Sequence, residues 1–356
     1  MGCRYKGLDE PWRSAFFSNL ESLSRWRPYA ASACGLLIFL AQIFDAGSVR
    51  ADSLDMTESL SSPPRFTGTL LSTRGRTIDQ GHMVVQPYVF LTRFGGLYND
   101  NWLLQSASTF HTTIQQTYFL YGLTSRMDLE VAPQWLANSS QGESTSGFGD
   151  LPVSLGFQLI RDREEWWFPD LRLWIQEVFP TGRYTNLDPK RAIVETTGGG
   201  SFATMIGLGI QKLYMLGGEQ AFRYRLNLTY GFFEATNVSG FNAYGGGFGT
   251  EGHIQPGTVT TVTMAGEYSL TRHWLLALDI SYQTANATRF SGSPGVGLNG
   301  EPAQVGKGSS TLMSVAPAVE YIYNEHLGLI GGPWISVTGR NAASFVGAVF
   351  AVYLFF

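Results

Sequence analysis

The sequence predicts an all-β fold, a transmembrane antiparallel up-and-down β-barrel of about twelve strands, within a range of about ten to fourteen. Three observations carry that reading. Short segments alternate apolar and polar residues with period two. Their connections alternate between tight turns and long loops. After residue 51 no apolar run is long enough for a helix to cross a bilayer. Composition agrees with a surface that meets something other than water: the chain is 44% hydrophobic, 14% aromatic and only 15% charged, where a soluble domain averages about 25% charged residues. A net charge of −4 gives no sign of a nucleic-acid partner.

Residues 1–51 read as an export signal. Arg25 and Arg27 precede an apolar stretch from Ala30 to Phe44, and Val49-Arg50-Ala51 offers a cleavage site before Asp52. Residues 52–80 then form a periplasmic N-terminal segment, and residues 81–356 the barrel. Both cysteines, Cys3 and Cys34, lie in the presequence, so the exported chain has no disulfide framework and no thiol ligand. Cys34 opens the apolar stretch instead of following it, which argues against a lipoprotein signal.

The strands follow in order. Trp274–Gln283 sets Trp274, Leu276, Leu278, Ile280 and Tyr282 on one face and Asp279, Ser281 and Gln283 on the other. Arg223–Phe232, Val262–Leu270, Met313–Tyr321, Arg126–Trp135 and Leu151–Leu159 repeat the pattern. Fainter strands are His82–Thr92, Ser108–Tyr121, Asp170–Phe179, Thr196–Tyr214, Leu327–Val337 and Ser344–Phe356. Glu177 shares a face with Leu171, Leu173 and Ile175, which predicts a bulge or strand end there. His111, Gln115 and Gln116 blur the second strand.

Tight connections such as Thr271-Arg272-His273 and Asn324-Glu325-His326 follow the even strands. Long ones follow most odd strands: Phe94–Gln105, Asn138–Gly149, Gly182–Glu195, Glu234–Gly257 and Asn286–Ser309. Outer-membrane barrels keep short turns on the periplasmic side and long loops outside, and an even strand count returns both termini to the periplasm. Phe350, Val352, Leu354 and Phe356 alternate to the last residue, which makes Phe356 the expected recognition signal for the barrel-assembly machinery.

In hydrocarbon every backbone polar group must be paired, so strands without an edge must close on themselves. The apolar faces then meet outer-membrane lipid. Trp135, Trp166, Trp167, Trp274, Tyr121, Tyr214 and Tyr323 fall near strand ends, where amphipathic rings favour the interface. The polar faces line the lumen. Arg223, Arg225 and Asn227 share one such face, with Asp128, Glu130, Glu267, Asp279 and Glu320 on others. Opposite charges there either set a transverse field across a pore or pair into a network that plugs it.

Several phrases resemble a known family. "YGLTSRMDLEV" (Tyr121–Val131), "GFGDLPVSLGFQL" (Gly147–Leu159), "FPTG" (Phe179–Gly182) and "SVAPAVEYIYNEHLGLIGG" (Ser314–Gly332) are similar to the recurring motifs of the outer-membrane family named after the MetA pathway of phenol degradation. The likeness spans the chain from about residue 80 onward, and the long loops Glu234–Gly257 and Asn286–Ser309 depart from it. It implies a transport-type barrel that admits small hydrophobic or aromatic molecules, and favours a narrow channel over a plug. From the residues alone, Gly147 and Gly149 ease a loop into a strand, Asp150 caps adjacent N–H groups, and Pro180-Thr181-Gly182 ends a strand.

Catalytic chemistry finds little support. The histidines His82, His111, His253, His273 and His326 are scattered, and His111 with Ser106 and Ser108 is the nearest approach to a nucleophile–base pair; a polar rim histidine explains it better. No metal-ligand spacing appears, no cofactor is implied, and "GGGFG" (Gly245–Gly249) lacks the strand–loop–helix context of a phosphate loop. A passive channel for small solutes leads. A surface-interaction barrel acting through its long loops is the alternative, and a lipid-modifying enzyme comes third.

Overall fold

The computed structural model describes residues 65–162 and 167–356. The export signal, Cys3, Cys34 and Trp166 lie outside the described residues. Within them the strands are, in chain order, β1 (Met83–Tyr98), β2 (Leu104–Thr124), β3 (Met127–Val131), β4 (Gln134–Ser140), β5 (Glu143–Phe148), β6 (Leu151–Ile160), β7 (Asp170–Phe179), β8 (Ala203–Gly217), β9 (Gln220–Phe233), β10 (Thr236–Ser239), β11 (Glu251–Gln255), β12 (Val259–Ser269), β13 (Trp274–Ala285), β14 (Arg289–Ser293), β15 (Ser310–Ile322), β16 (Leu327–Arg340) and β17 (Ala342–Phe355). A single four-residue helix, α1 (Ala192–Glu195), sits between β7 and β8.

Fourteen of these strands form one antiparallel sheet in which β1 pairs with both β2 and β17, so the sheet closes. Two of its staves are interrupted. β3 and β4 both pair along β2, divided at Ala132-Pro133, because Pro133 has no N–H to give the ladder. β5 and β6 pair with β4 and β3 in the same way, divided at Gly149-Asp150. The result is a closed barrel of twelve staves. Phe356 completes the seam, exchanging backbone hydrogen bonds with Met83 at 2.8 and 3.0 Å.

Alternation sets the two faces. Leu226, Leu228, Tyr230, Met264, Leu276, Leu278, Val319, Leu329, Val346 and Phe350 are exposed outward, while Asp128, Glu267, Asp279 and Glu320 are fully buried inward. An apolar belt around most of a closed sheet matches the outer face of a membrane-spanning barrel. Tyr121, Tyr214, Trp135, Trp167, Trp274 and Tyr323 are exposed among the outward aromatics.

Several boundaries differ from the sequence expectation. The connection after β4 is a two-residue turn, Gln141-Gly142, with φ of +53° and +88°, the twist that suits a hairpin; the small polar residues that looked like a loop are strand above the belt. The connection after β1 shrinks to 99–103 for the same reason. β8 starts at Ala203 and not Thr196. β7 has no bulge at Glu177: it stays in register with Val153 and Thr204, and the carboxylate faces outward, accepting from Thr204 Oγ1 at 2.7 Å. The loops Glu234–Gly257 and Asn286–Ser309 meet in a separate three-stranded sheet, β10-β11-β14.

Candidate functional site

The lumen is built from the inward residues of every stave, and its turn-side half is occupied by the chain itself. Residues 65–82 run around the inner wall before entering β1. Arg65 bonds Glu325 at the β15–β16 turn. Thr67 then donates from N and Oγ1 to Glu320 at 3.0 and 2.7 Å. Leu70, Leu71 and Ser72 donate three backbone N–H groups to Asp279 at 3.0, 3.3 and 3.0 Å. Arg225 and Asn227 donate to the carbonyls of Ser72 and Thr73. Thr77 donates to Gln158 at 2.7 Å, Ile78 to Asp128 at 3.0 Å, and Gly81 to the carbonyl of Gly122 at 2.9 Å. The strap thus rises from the turn side, crests at Arg74 and descends to β1. At the crest a Cβ on Gly209 would stand 2.8 Å from the Arg74 carbonyl oxygen, so the wall there must be glycine.

Extended backbone in a lumen needs acceptors for its N–H groups, since a buried orphan costs about 1–3 kcal/mol. The inward carboxylates and amides supply them. Two further groups hold the charges in balance. Glu267 accepts two guanidinium bonds from Arg223, both 2.6 Å, with Arg225 Nε at 3.3 Å. Asp128 accepts from Arg172 at 2.6 Å, while Arg74 of the strap reaches both Asp128 and Glu130 at 3.5 Å. Arg223 also lies over the Phe66 ring, 4.5 Å from its centroid.

The eight lumen residues singled out in the sequence all lie on inward faces of the staves. Asp128, Glu130, Arg223, Arg225, Asn227, Asp279 and Glu320 touch the strap, and Glu267 is held by the two arginines. At this level the inward charges pair with one another and with the strap. Of the N-terminal segment 52–80, residues 65–80 lie against the barrel's inner face. Nothing in the strap's own pattern, "RFTGTLLSTRGRTID", announces that position, because its partners are 50 to 260 residues away.

Beyond the strap the lumen has two unlike sides. Along β1, β2, β16 and β17 the inward side chains form a ladder of ring contacts. Tyr118 meets Tyr88 at 5.3 Å, Tyr88 meets Phe90 at 5.6 Å, and Phe90 meets Trp334 at 6.2 Å. Trp334 meets Phe345 at 4.6 Å, Phe345 meets Phe94 at 5.7 Å, and Phe94 meets Phe110 at 5.9 Å. Leu70 and Leu71 of the strap pack against the foot of this ladder. Facing it, β9, β12, β13 and β15 present Thr229, Thr261, Thr263, Ser281 and Ser314, with Thr263 bonded to Ser281 at 3.3 Å. Trp334 is oriented by its indole N–H, which donates to Ser314 Oγ at 3.1 Å.

Sequence reasoning missed the ladder because β1 is apolar on both faces: Val85, Val89 and Leu91 point out and Tyr88 and Phe90 point in, so no alternation shows. A strand with no polar face was the available signal.

At the far rim, two of the family-like motifs make one joint. Thr181 Oγ1 donates to the Gly149 carbonyl at 2.6 Å, and Asp150 accepts the N–H groups of Gly182 and Gly199 at 2.9 and 2.8 Å. The loop between β7 and β8 is thereby folded inward, where Asn138 of β4 donates to the carbonyls of Val194 and Thr196 at 3.1 and 2.9 Å. Tyr244 ties the next loop to it, donating to the Gly199 carbonyl at 2.8 Å; burial pushes its hydroxyl up to about 12, with the Asp150 charge adding to the shift. His111 stands on the outward face opposite Arg93, away from this region, and Ser108 accepts from Gln141. Among the described residues no group of His, Cys, Asp and Glu side chains is placed to hold a metal.

A closed twelve-stave antiparallel barrel with an apolar belt is the fold of outer-membrane barrel proteins. The chain is similar in structure to the COG4313 outer membrane channel from Pseudomonas putida F1, with a TM-score of 0.60 and 15% identity over 79% of this chain and 97% of that one. Lower similarity relates it to the translocator domain of the autotransporter NalP from Neisseria meningitidis (TM-score 0.38, 9% identity, 78% and 89% covered). The Ralstonia pickettii toluene transporter TbuX stands at a similar distance (TM-score 0.31, 10% identity, 78% and 90% covered). At these identities the likeness is one of fold. No protein-family model matches the sequence, and no curated protein matches it, so the resemblance to the phenol-degradation family rests on its motifs alone.

Proposed function

We propose that the chain is an outer-membrane channel for the passive passage of small hydrophobic or aromatic molecules, with turns and both termini on the periplasmic side. The aromatic ladder is the observation that carries this reading. Edge-to-face and offset ring contacts offer a ligand ring the same geometry the protein's own rings adopt, worth about 0.5–1.5 kcal/mol per pair beyond area burial. A run of such positions from rim to strap lets an apolar solute move between equivalent sites without entering water. The solved barrel of similar fold is itself described as an outer membrane channel, and the family-like motifs point the same way.

The strap makes this a narrow or gated path and not an open pore. Neutralising Arg223 and Arg225 leaves Glu267 buried without a counter-charge, so ion selectivity should change in any conducting state. The direct test is uptake of labelled toluene into cells or proteoliposomes carrying the wild type or a Trp334→Ala, Phe345→Ala double variant. Several-fold slower uptake by the folded variant is expected; equal uptake by the wild type and by vesicles lacking the protein would overturn the reading. A surface-interaction role draws on the cap, where Phe248 and Leu298 are 56% and 70% exposed, and predicts unchanged uptake when those two are replaced by serine.

A further inference from the structure

One stave breaks the rule that governs the outer wall. On β2 the outward residues at belt depth are Gln115 and Thr117, with Thr113 beside them only 8% exposed, while Phe110, Ile114, Tyr118 and Leu120 point inward. The register with β1 is continuous from Tyr121 to Phe110, so no slip accounts for the inversion. The neighbouring outward positions are apolar: Val89 and Leu91 on β1, and Trp135 on β4. Among the described residues no hydrogen bond is made by the side chains of Thr113, Gln115 or Thr117, whereas the outward carboxylate of Glu177 accepts from Thr204. An unpaired carboxamide facing hydrocarbon is strongly disfavoured, so such a stripe calls for a protein partner.

We infer that this stripe is an interface between two copies of the chain. The inference rests on the reading of the molecule as a membrane barrel. Self-complementarity selects a second copy as the occupant. A carboxamide and two hydroxyls each donate and accept, so an identical stripe satisfies every group. Copies inserted by one route share one orientation in the membrane, so their two-fold axis lies along the membrane normal. Each residue near that axis then meets its own counterpart at the same depth. Gln115, central in the stripe, faces Gln115 of the partner subunit, and the two amides exchange a reciprocal pair of hydrogen bonds. The small side chains of Ala137 and Ser139 on β4 allow the walls to approach.

The test is oxidative cross-linking in isolated outer membranes. In a background with Cys3→Ser and Cys34→Ser, Gln115→Cys is compared with Leu228→Cys, which lies on β9 with an exposed outward side chain. Copper-phenanthroline should convert most of the Gln115→Cys protein to a species of doubled mass on non-reducing gels and leave Leu228→Cys monomeric. Gln115→Leu, in detergent, should shift the folded protein from dimer to monomer by sedimentation. Equal cross-linking at both positions, or none at 115 in protein that is membrane-inserted and heat-modifiable, would overturn the interface, including in favour of a stripe that serves solutes leaving through the wall. Absence of the chain from the outer membrane would instead overturn the barrel reading on which it rests.

Discussion

Replacing Asp279 with alanine should release the strap. The carboxylate accepts three consecutive backbone N–H groups, from Leu70, Leu71 and Ser72, at 3.0, 3.3 and 3.0 Å. A hydrogen bond to a charged group contributes about 1.5–3 kcal/mol, and a buried donor left unpaired costs about 1–3 kcal/mol. The longest of the three is the weakest, water admitted to the gap recovers part of the loss, and removing the carboxylate relieves its own burial. A net of about 3–5 kcal/mol remains, which shifts the ratio of docked to released strap by roughly 10²- to 10⁴-fold. Single-channel recording should show long open bursts absent from the wild type, and trypsin should cut after Arg74 and Arg76 in the membrane-inserted protein. Asp279→Asn, which keeps one acceptor oxygen, should fall between the two. Wild-type conductance together with wild-type protection of Arg74 and Arg76 would refute the argument that these bonds hold the strap in place.

Three further outcomes follow from the geometry. Asp150→Ala removes the acceptor of the Gly182 and Gly199 N–H groups and should expose the β7–β8 loop to trypsin at Arg183, Lys190 and Arg191, at a cost of about 1–3 kcal/mol in loop docking; an unchanged digestion pattern would show that the loop is held elsewhere. Gly207→Ala places a methyl 2.2 Å from the Trp174 ring, which lies flat on that glycine; the barrel should lose about 1–3 kcal/mol of stability with a shift in tryptophan emission, read by urea unfolding in lipid vesicles. Tyr244 holds its proton more tightly folded than unfolded, so its hydrogen bond to Gly199 should persist above pH 10 and fail as pH rises through about 12. Absorbance at 295 nm, compared with Tyr244→Phe, reads that titration.

Period-two alternation made most of the barrel legible, because a stave with lipid on one side and polar groups on the other repeats every second residue. Trp274–Gln283 and Arg223–Phe232 lie within strands of the structure for that reason. It failed where the two faces share a polarity. β1 buries aromatic rings against an aromatic lumen, and β2 turns polar groups outward, so both strands lost their pattern. The inward charges were also legible, since alternation places them without any knowledge of partners. Their role was not. Whether Asp279 borders water or receives Leu70, Leu71 and Ser72 depends on a contact 207 to 209 residues away in sequence, which no local pattern encodes.

That separation has a consequence for the order in which the molecule is made. The strap is threaded ahead of every stave, yet Thr67 finds its acceptor on Glu320, 253 residues later, and Leu70 on Asp279, 209 residues later. Contacts this distant form slowly, because the chain between them must first be organised. Until β13 and β15 are in position, the N–H groups of Thr67, Leu70, Leu71 and Ser72 have only water to bond, and Asp279 has none of its strap donors. Docking of the 67–72 end is therefore the closing event of assembly and not its nucleus. A barrel that stalled before its late staves joined would keep its leading segment loose and open to proteases, while a completed one draws it in.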